Sequence, residues 1–217
     1  ERDRWDLEAT PIEDRIRLPG AWDAQGFGKP AEKLFTNHVG EAWYRRSVAV
    51  PSEWAGRRVW LELGGVHRTA DVWAGGRHLA RCEGYLSPFV IELTRDVRPG
   101  SSSTIAIRVD SRQDWTRDTL TGCMDVIDAM DIQWGGLWRG VSLFTTGPAR
   151  ISDAWVVSRM PESGSGPWTA EVRIELEEPA PEDLDVEAAA IDRPGRLQAR
   201  GRIAKGQVGA ILTVPVP

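Results

Sequence analysis

Between Val59 and Ala74 the chain alternates apolar and polar residues with a period of two, and it does so twice. Val59, Leu61 and Leu63 fall on one face of an extended segment and Trp60 and Glu62 on the other; Ala70, Val72 and Ala74 repeat the pattern. Such segments bury one face by pairing with neighbours in a sheet, so the pattern predicts antiparallel β-structure. Gly75-Gly76 lies between the runs that end at Trp73 and begin at His78, and paired glycines supply the positive φ that a two-residue hairpin turn demands.

The same reading predicts strands from Tyr44 to Val50, Val59 to Leu63, Ala70 to Ala74, His78 to Arg81, Phe89 to Leu93, Thr104 to Asp110 and Val141 to Phe144. Pro51 to Gly56, Gly64-Gly65, Arg98-Pro99-Gly100 and Gly135-Gly136 read as the turns between them. No long stretch has a helical period, so the expected fold is an all-β sandwich. Gly147-Pro148 interrupts the pattern and places a domain boundary near residue 148. New strands follow from Ile151, from Thr169 to Leu176 and from Asp185 to Ile191, with glutamates alternating with Val172, Ile174 and Leu176 as in a sheet with one wet face. Only about 70 residues remain after the boundary, short of the roughly 100 of an immunoglobulin-like sandwich. The strands are therefore expected to continue past Pro217, which makes the chain the N-terminal piece of a longer protein.

Charge and composition narrow the partners. The 32 acidic and 27 basic side chains give a net charge of −5, with no basic block able to neutralise several phosphates, so nucleic acid is not an expected partner. No apolar run approaches the roughly 18 residues of a membrane span, and the opening ERDRWDLE has no signal-peptide core, so no membrane partner is expected. A soluble protein follows, with cytoplasmic and secreted locations both open. Cys82 and Cys123 make neither a disulfide framework nor a zinc site and read as packed thiols. Eleven Trp against four Phe and two Tyr is an unusual balance. Trp60 and Trp73 alternate with core-facing residues and are expected to cover outer sheet faces or meet a neighbouring domain.

The long connection from Asp114 to Trp134 is the candidate functional segment, because long ordered loops in compact domains often carry function. One reading projects an aspartate toward a sugar hydroxyl and offers the flat face of Trp134 to a pyranose ring. The other makes VIDAM a short surface helix with solvated acids. Asp125, Asp128 and Asp131 lack the glycine and interleaved ligands of a dedicated cation loop, so no metal is expected. His38, His67 and His78 are too scattered for a ligand pair and read as surface or strand-end residues.

Six segments in order resemble the N-terminal region of the family 2 glycoside hydrolases, the group of β-galactosidases, β-glucuronidases and β-mannosidases. They are LPGAW from Leu18, AWYRRSVAVP from Ala42, LGGVHRTADVWAGGRHLA from Leu63, EGYLSPFVIELT from Glu83, STIAIRVD from Ser103 and QWGGLWRGVSLF from Gln133. RISDAWVV, from Arg150, extends the likeness to where such proteins begin a second domain. The resemblance implies a jelly-roll sandwich of the galactose-binding type, then an immunoglobulin-like domain, then a (β/α)8 barrel that supplies both glutamates of a retaining glycosidase. Those glutamates must flank one bond at about 5 Å, and the barrel is not in this sequence. Trp22, Trp43 and Trp138 lie inside the motifs and are expected to be packing anchors.

Two departures stand out. Gly75-Gly76 replaces the family's usual Asn-Gly, which keeps the turn and drops a side chain that could cap it. Relatives also carry an aspartate six residues before the glycine of the Gly-Leu/Ile-aromatic-Arg motif, reaching into the barrel's pocket; here that position is Met130, with Asp131 beside it. Asp131 is therefore the expected pocket residue, through a one-residue shift, together with Trp134. Asn37-His38 precedes the AWYRR strand at a place from which family members reach the active site, a solvated turn being the alternative.

The expectation is thus all-β: a jelly-roll sandwich over residues 1–148 and an incomplete immunoglobulin-like sandwich over 149–217. It would be the non-catalytic N-terminal portion of a β-glycosidase, contributing Asp131, Trp134, Asn37 and His38 to a carbohydrate pocket and requiring no cofactor. Homo-oligomerisation of the full-length protein stays open. A free-standing carbohydrate-binding module without hydrolase activity is the alternative.

Overall fold

The computed structural model describes residues 11–12, 14–30, 36–84, 87–112, 134–191 and 196–216. Eleven strands form the first part of the chain: β1 (Lys29–Pro30), β2 (Thr36–Asn37), β3 (Glu41–Ala49), β4 (Arg58–Leu63), β5 (Val66–His67), β6 (Thr69–Ala74), β7 (Arg77–Glu83), β8 (Phe89–Glu92), β9 (Ser102–Asp110), β10 (Gly136–Leu137) and β11 (Val141–Thr146). Five more follow: β12 (Ile151–Arg159), β13 (Trp168–Leu176), β14 (Leu184–Ile191), β15 (Arg196–Ile203) and β16 (Gly209–Val216). Only short 3₁₀ turns, at Asp23–Gln25 and Ser52–Trp54, break the β pattern among the described residues. By its contacts the chain separates into Glu1–Thr145 and Thr146–Pro217.

The first unit is built on a four-stranded sheet ordered β3-β9-β6-β7 and a three-stranded sheet ordered β11-β4-β8. Alternation does what the sequence predicts. Val59, Leu61 and Leu63 of β4 and Ile91 of β8 meet Ala70, Val72, Ala74, Ile105, Ile107 and Val109 of the larger sheet in one buried core. Each large aliphatic so buried contributes about 1.5–3 kcal/mol of transfer free energy. The β6–β7 hairpin turns at Gly75 and Gly76, whose φ values of 55° and 81° any other L-residue adopts poorly. Ala74 then faces Arg77, and a bulge after Val72 leaves Leu79 unmatched and brings Trp73 opposite His78.

The outer faces of both sheets carry tryptophan, as expected of Trp60 and Trp73. Trp60 lies under Phe144 and beside the Arg58 guanidinium, 4.6 Å from its ring centroid. Trp73 meets Trp43 at 4.9 Å, so Trp43 corrects the expectation of a core anchor: Tyr44 takes the inward position of β3 and Trp43 the outward one. Asp71 sits beside this pair, buried, and accepts from Arg108 (2.7 Å), His78 Nε2 (3.0 Å) and Arg81 (3.4 Å). Burial works to raise its pKa, but Arg108 and His78 outweigh it and hold the carboxyl below the usual carboxylate value. Cys82, on the core face behind it, is pushed up to about 11 by burial and by the Asp71 charge, as suits an inert packed thiol.

The second unit pairs β12-β13-β16 in one sheet and β14 with β15 in another. Ile174, Leu176, Ile203 and Leu212 form its core with Val186 and Ala188 packed against them. Gly201 on β15 is needed for close approach, because a Cβ there would strike Leu212. No residue of β12 joins this core among the described residues, although Val156 pairs with Val172 and shares its face; Val156 is 63% exposed. The inner face of the sandwich is therefore covered at β13 and β16 and open at β12.

Candidate functional site

The residues following Pro19 act as a plug between two distant segments. Asp23–Gln25 forms a single 3₁₀ turn closed by Gly26 in the left-handed region, and the Gln25 amide bonds both the N–H and the carbonyl of Arg17. This holds Trp22 and Asp23 in place. On one side Gly20 N–H donates to Leu137 O and Trp22 N–H to Gly135 O, both at 3.0 Å, while Gly135 N–H donates to Asp23 Oδ2 at 2.9 Å. On the other side His38 N–H donates to Asp23 Oδ1 at 3.0 Å, and the Trp22 indole N–H donates to His38 O at 3.1 Å.

Gly135 and Gly136 exist for contact, which corrects the expectation of a turn there. They enter β10, whose Gly136 and Leu137 pair with His67 and Val66 of β5. A Cβ at Gly135 would fall inside the Trp22 ring and 2.8 Å from Ser111 Cβ; one at Gly136, whose φ is +114°, would lie 2.6 Å from the Tyr44 hydroxyl. Burial pushes the Tyr44 phenol up to about 12, aided by the Asp23 charge and opposed by the Leu137 N–H. Burial likewise raises Asp23, though the His38 and Gly135 amides pull the other way.

Each expected site residue now has a place. His38 is half-buried rather than in a solvated turn: its ring meets Trp22 edge-on at 5.3 Å, and Nε2 lies 3.1 Å from Glu41 O. A carbonyl only accepts, so Nε2 carries a proton and the neutral ring keeps Nδ1 as an acceptor. Trp134 stacks one face on His67 at 4.2 Å, with ring planes 20° apart, and meets Trp138 edge-on at 5.7 Å. At most one face of Trp134 is left for a sugar. Asn37 lies in β2 opposite Lys29. Asp131 lies outside the described residues, as do Asp125, Asp128, Cys123 and the VIDAM segment.

Sequence reasoning missed Asp23, Ser111 and the buried His67. Ser111 Oγ accepts from Gly40 N–H at 3.2 Å and reaches the His38 and Gly40 carbonyls at 3.4 Å, closing the loop before β3. Of the three, only Asp23 left a trace, as the first polar residue after LPGAW ahead of a turn. His67, read as a surface or strand-end group, is indeed at the end of β5 but buried under Trp134.

Residues 2–148 match the family described as glycosyl hydrolases family 2, sugar binding domain. The chain belongs to glycosyl hydrolase family 2. Among curated family 2 relatives, it is 26% identical over 212 residues to a β-glucuronidase of Paenibacillus borealis, covering 90% of this chain and 34% of that protein. It is also 26% identical over 196 residues to the β-glucuronidase of Canis lupus familiaris, covering 82% of this chain and 29% of that one. The chain thus spans about a third of the length of these relatives. A solved structure of Ruminococcus gnavus β-glucuronidase superposes with a TM-score of 0.69 at 15% identity, over 97% of this chain and 34% of that one, a likeness of fold.

Proposed function

We propose that the chain is the non-catalytic N-terminal portion of a retaining β-glycosidase that hydrolyses β-glucuronides. In this reading residues 1–148 form a jelly-roll domain of the sugar-binding type and 149–217 part of an immunoglobulin-like sandwich. Together they support a (β/α)8 barrel outside this chain and lend a loop, with Asp131, Trp134, Asn37 and His38, to its pocket. The observation that carries the reading is the match of this chain to the N-terminal third of proteins named β-glucuronidase.

The geometry supports a scaffolding role. A retaining glycosidase needs two carboxyl groups about 5–5.5 Å apart, one of them holding a proton it can give away. Asp23 has a raised pKa, yet its two oxygens accept backbone N–H groups, so it is spent on structure. Asp71 is enclosed by Arg108, Arg81 and His78 and is held as a carboxylate. The open inner face at β12 supports the partial-sandwich reading, since further strands would bury Val156.

The test compares two polypeptides on a chromogenic β-glucuronide. The full-length protein should release the chromophore and the 217-residue chain should not. Turnover by the chain alone would overturn the reading. Saturable sugar binding by the chain, with no turnover by the longer protein, would favour a free-standing carbohydrate-binding module.

A further inference from the structure

We propose that Asp23 is the positioning residue of the sugar pocket, setting the spacing between the His38 segment and the Trp134–Trp138 segment. The inference rests on the reading above, which places both segments at the pocket. His38 and Gly135 are far apart in the chain, and one carboxylate accepts the N–H of each, at 3.0 Å and 2.9 Å. Trp22 clamps the same two segments through His38 O and Gly135 O, so acceptor and donor atoms of each segment are fixed by adjacent residues. The Gln25–Arg17 bonds and the 3₁₀ turn fix the plug itself.

The carboxylate is chemically particular here. It accepts only, and it faces two donors; charge-assisted bonds of this kind are roughly twice as strong as neutral ones. Asparagine has nearly the same shape but offers one acceptor and one NH₂, and the NH₂ would face a backbone N–H. One tether must then fail. The desolvation that raises Asp23 shows that the site holds this group at a cost, as the structure does nowhere for mere solubility. Displacing His38 relative to Trp134 by even about 1 Å would misalign contacts that orient a sugar, because productive geometry tolerates little more than about 0.5 Å.

Two measurements on D23N and D23A test this. In the 217-residue chain, amide hydrogen exchange at His38 and Gly135 should accelerate about tenfold or more. D23A should release both amides and D23N one, with the amides of β4, β6 and β9 unchanged. In the full-length protein, KM for a β-glucuronide should rise about tenfold in D23N while kcat changes less than about twofold, the signature of lost substrate placement. Unaltered exchange at both amides would overturn the tether. Faster exchange with unaltered KM would leave Asp23 a structural residue and overturn its positioning role. If the wild-type full-length protein cleaves no β-glucuronide, the glucuronidase reading fails, and the exchange arm alone decides whether Asp23 tethers the two segments.

Discussion

The two units solve the same packing problem to different degrees. In the first, two sheets face each other and Leu63, Val66, Val72, Leu93 and Val109 are wholly enclosed. In the second, the β14–β15 pair covers only part of the sheet it packs on, and Ile151, Val156, Met160, Trp168, Val208 and Ile211 remain exposed. Exposed apolar side chains gathered on one small unit point to surface awaiting cover, whereas singly scattered ones such as Leu18 and Val39 need no explanation. The lesson is that regular pairing and correct alternation do not by themselves make a closed core; a second layer of matching width does.

The largest effect should come from the closed core. Leu63→Ala removes a fully buried side chain and should cost the first unit about 2–5 kcal/mol, read as a drop in one of two denaturant transitions. Leu212→Ala in the one-sided core of the second unit should cost about half as much, because the site relaxes toward its open side. Equal losses would break the comparison. Gly135→Ala should cost about 1–3 kcal/mol by overpacking and should alter the near-ultraviolet circular dichroism of Trp22, whose ring it would strike.

Acidification separates the units by burial. Asp71 in the first and Glu171 in the second are both held below their usual values, Asp71 by Arg108 and His78 against burial, Glu171 chiefly by Arg173. A lowered carboxyl gives stability that is present above its unfolded pKa, 3.8 for Asp71, and lost as pH falls through the folded value. Below about pH 4 the first unit should therefore weaken, and R108M should flatten that loss. The exposed Glu171 pair is screened, so molar salt should erase any acid effect in the second unit while leaving that of Asp71. The smallest effect is Val156→Thr, expected below about 0.5 kcal/mol in this chain. In a longer polypeptide that covers β12 the same change should cost about 1–2 kcal/mol, and a failure to rise would count against the open-face reading.

Much of the fold was legible because alternation survives in single segments. β4, β6 and β9 declare their inward faces through Val59-Leu61-Leu63, Ala70-Val72-Ala74 and Ile105-Ile107-Val109, and Gly75-Gly76 declares its turn. β15 and β16 were not foreseen: RLQARGRI carries too few apolar residues to set a period, and Pro215 disguises the end of the other, an edge of the sheet where a missing N–H is tolerated. The pairs β1–β2 and β5–β10 are only two residues per strand, below any periodic signal. For the site, sequence located the neighbourhoods of His38 and Trp134 but not what joins them. A bridging carboxylate is specified by where two backbone amides arrive in space, and nothing in local spacing announces that Asp23 will meet His38 and Gly135 at once.

The Tyr44 hydroxyl, enclosed beneath Gly136, gives the first unit a built-in optical gauge. Its phenol ionises near 12 while the unit is folded and near the ordinary 10 once it is not. Ionisation therefore favours the open chain between those values, and stability should decline as pH climbs through that window. The ultraviolet band of the tyrosinate would appear in step with strand separation, so alkali alone can time the release of the Gly135–Gly136 seat.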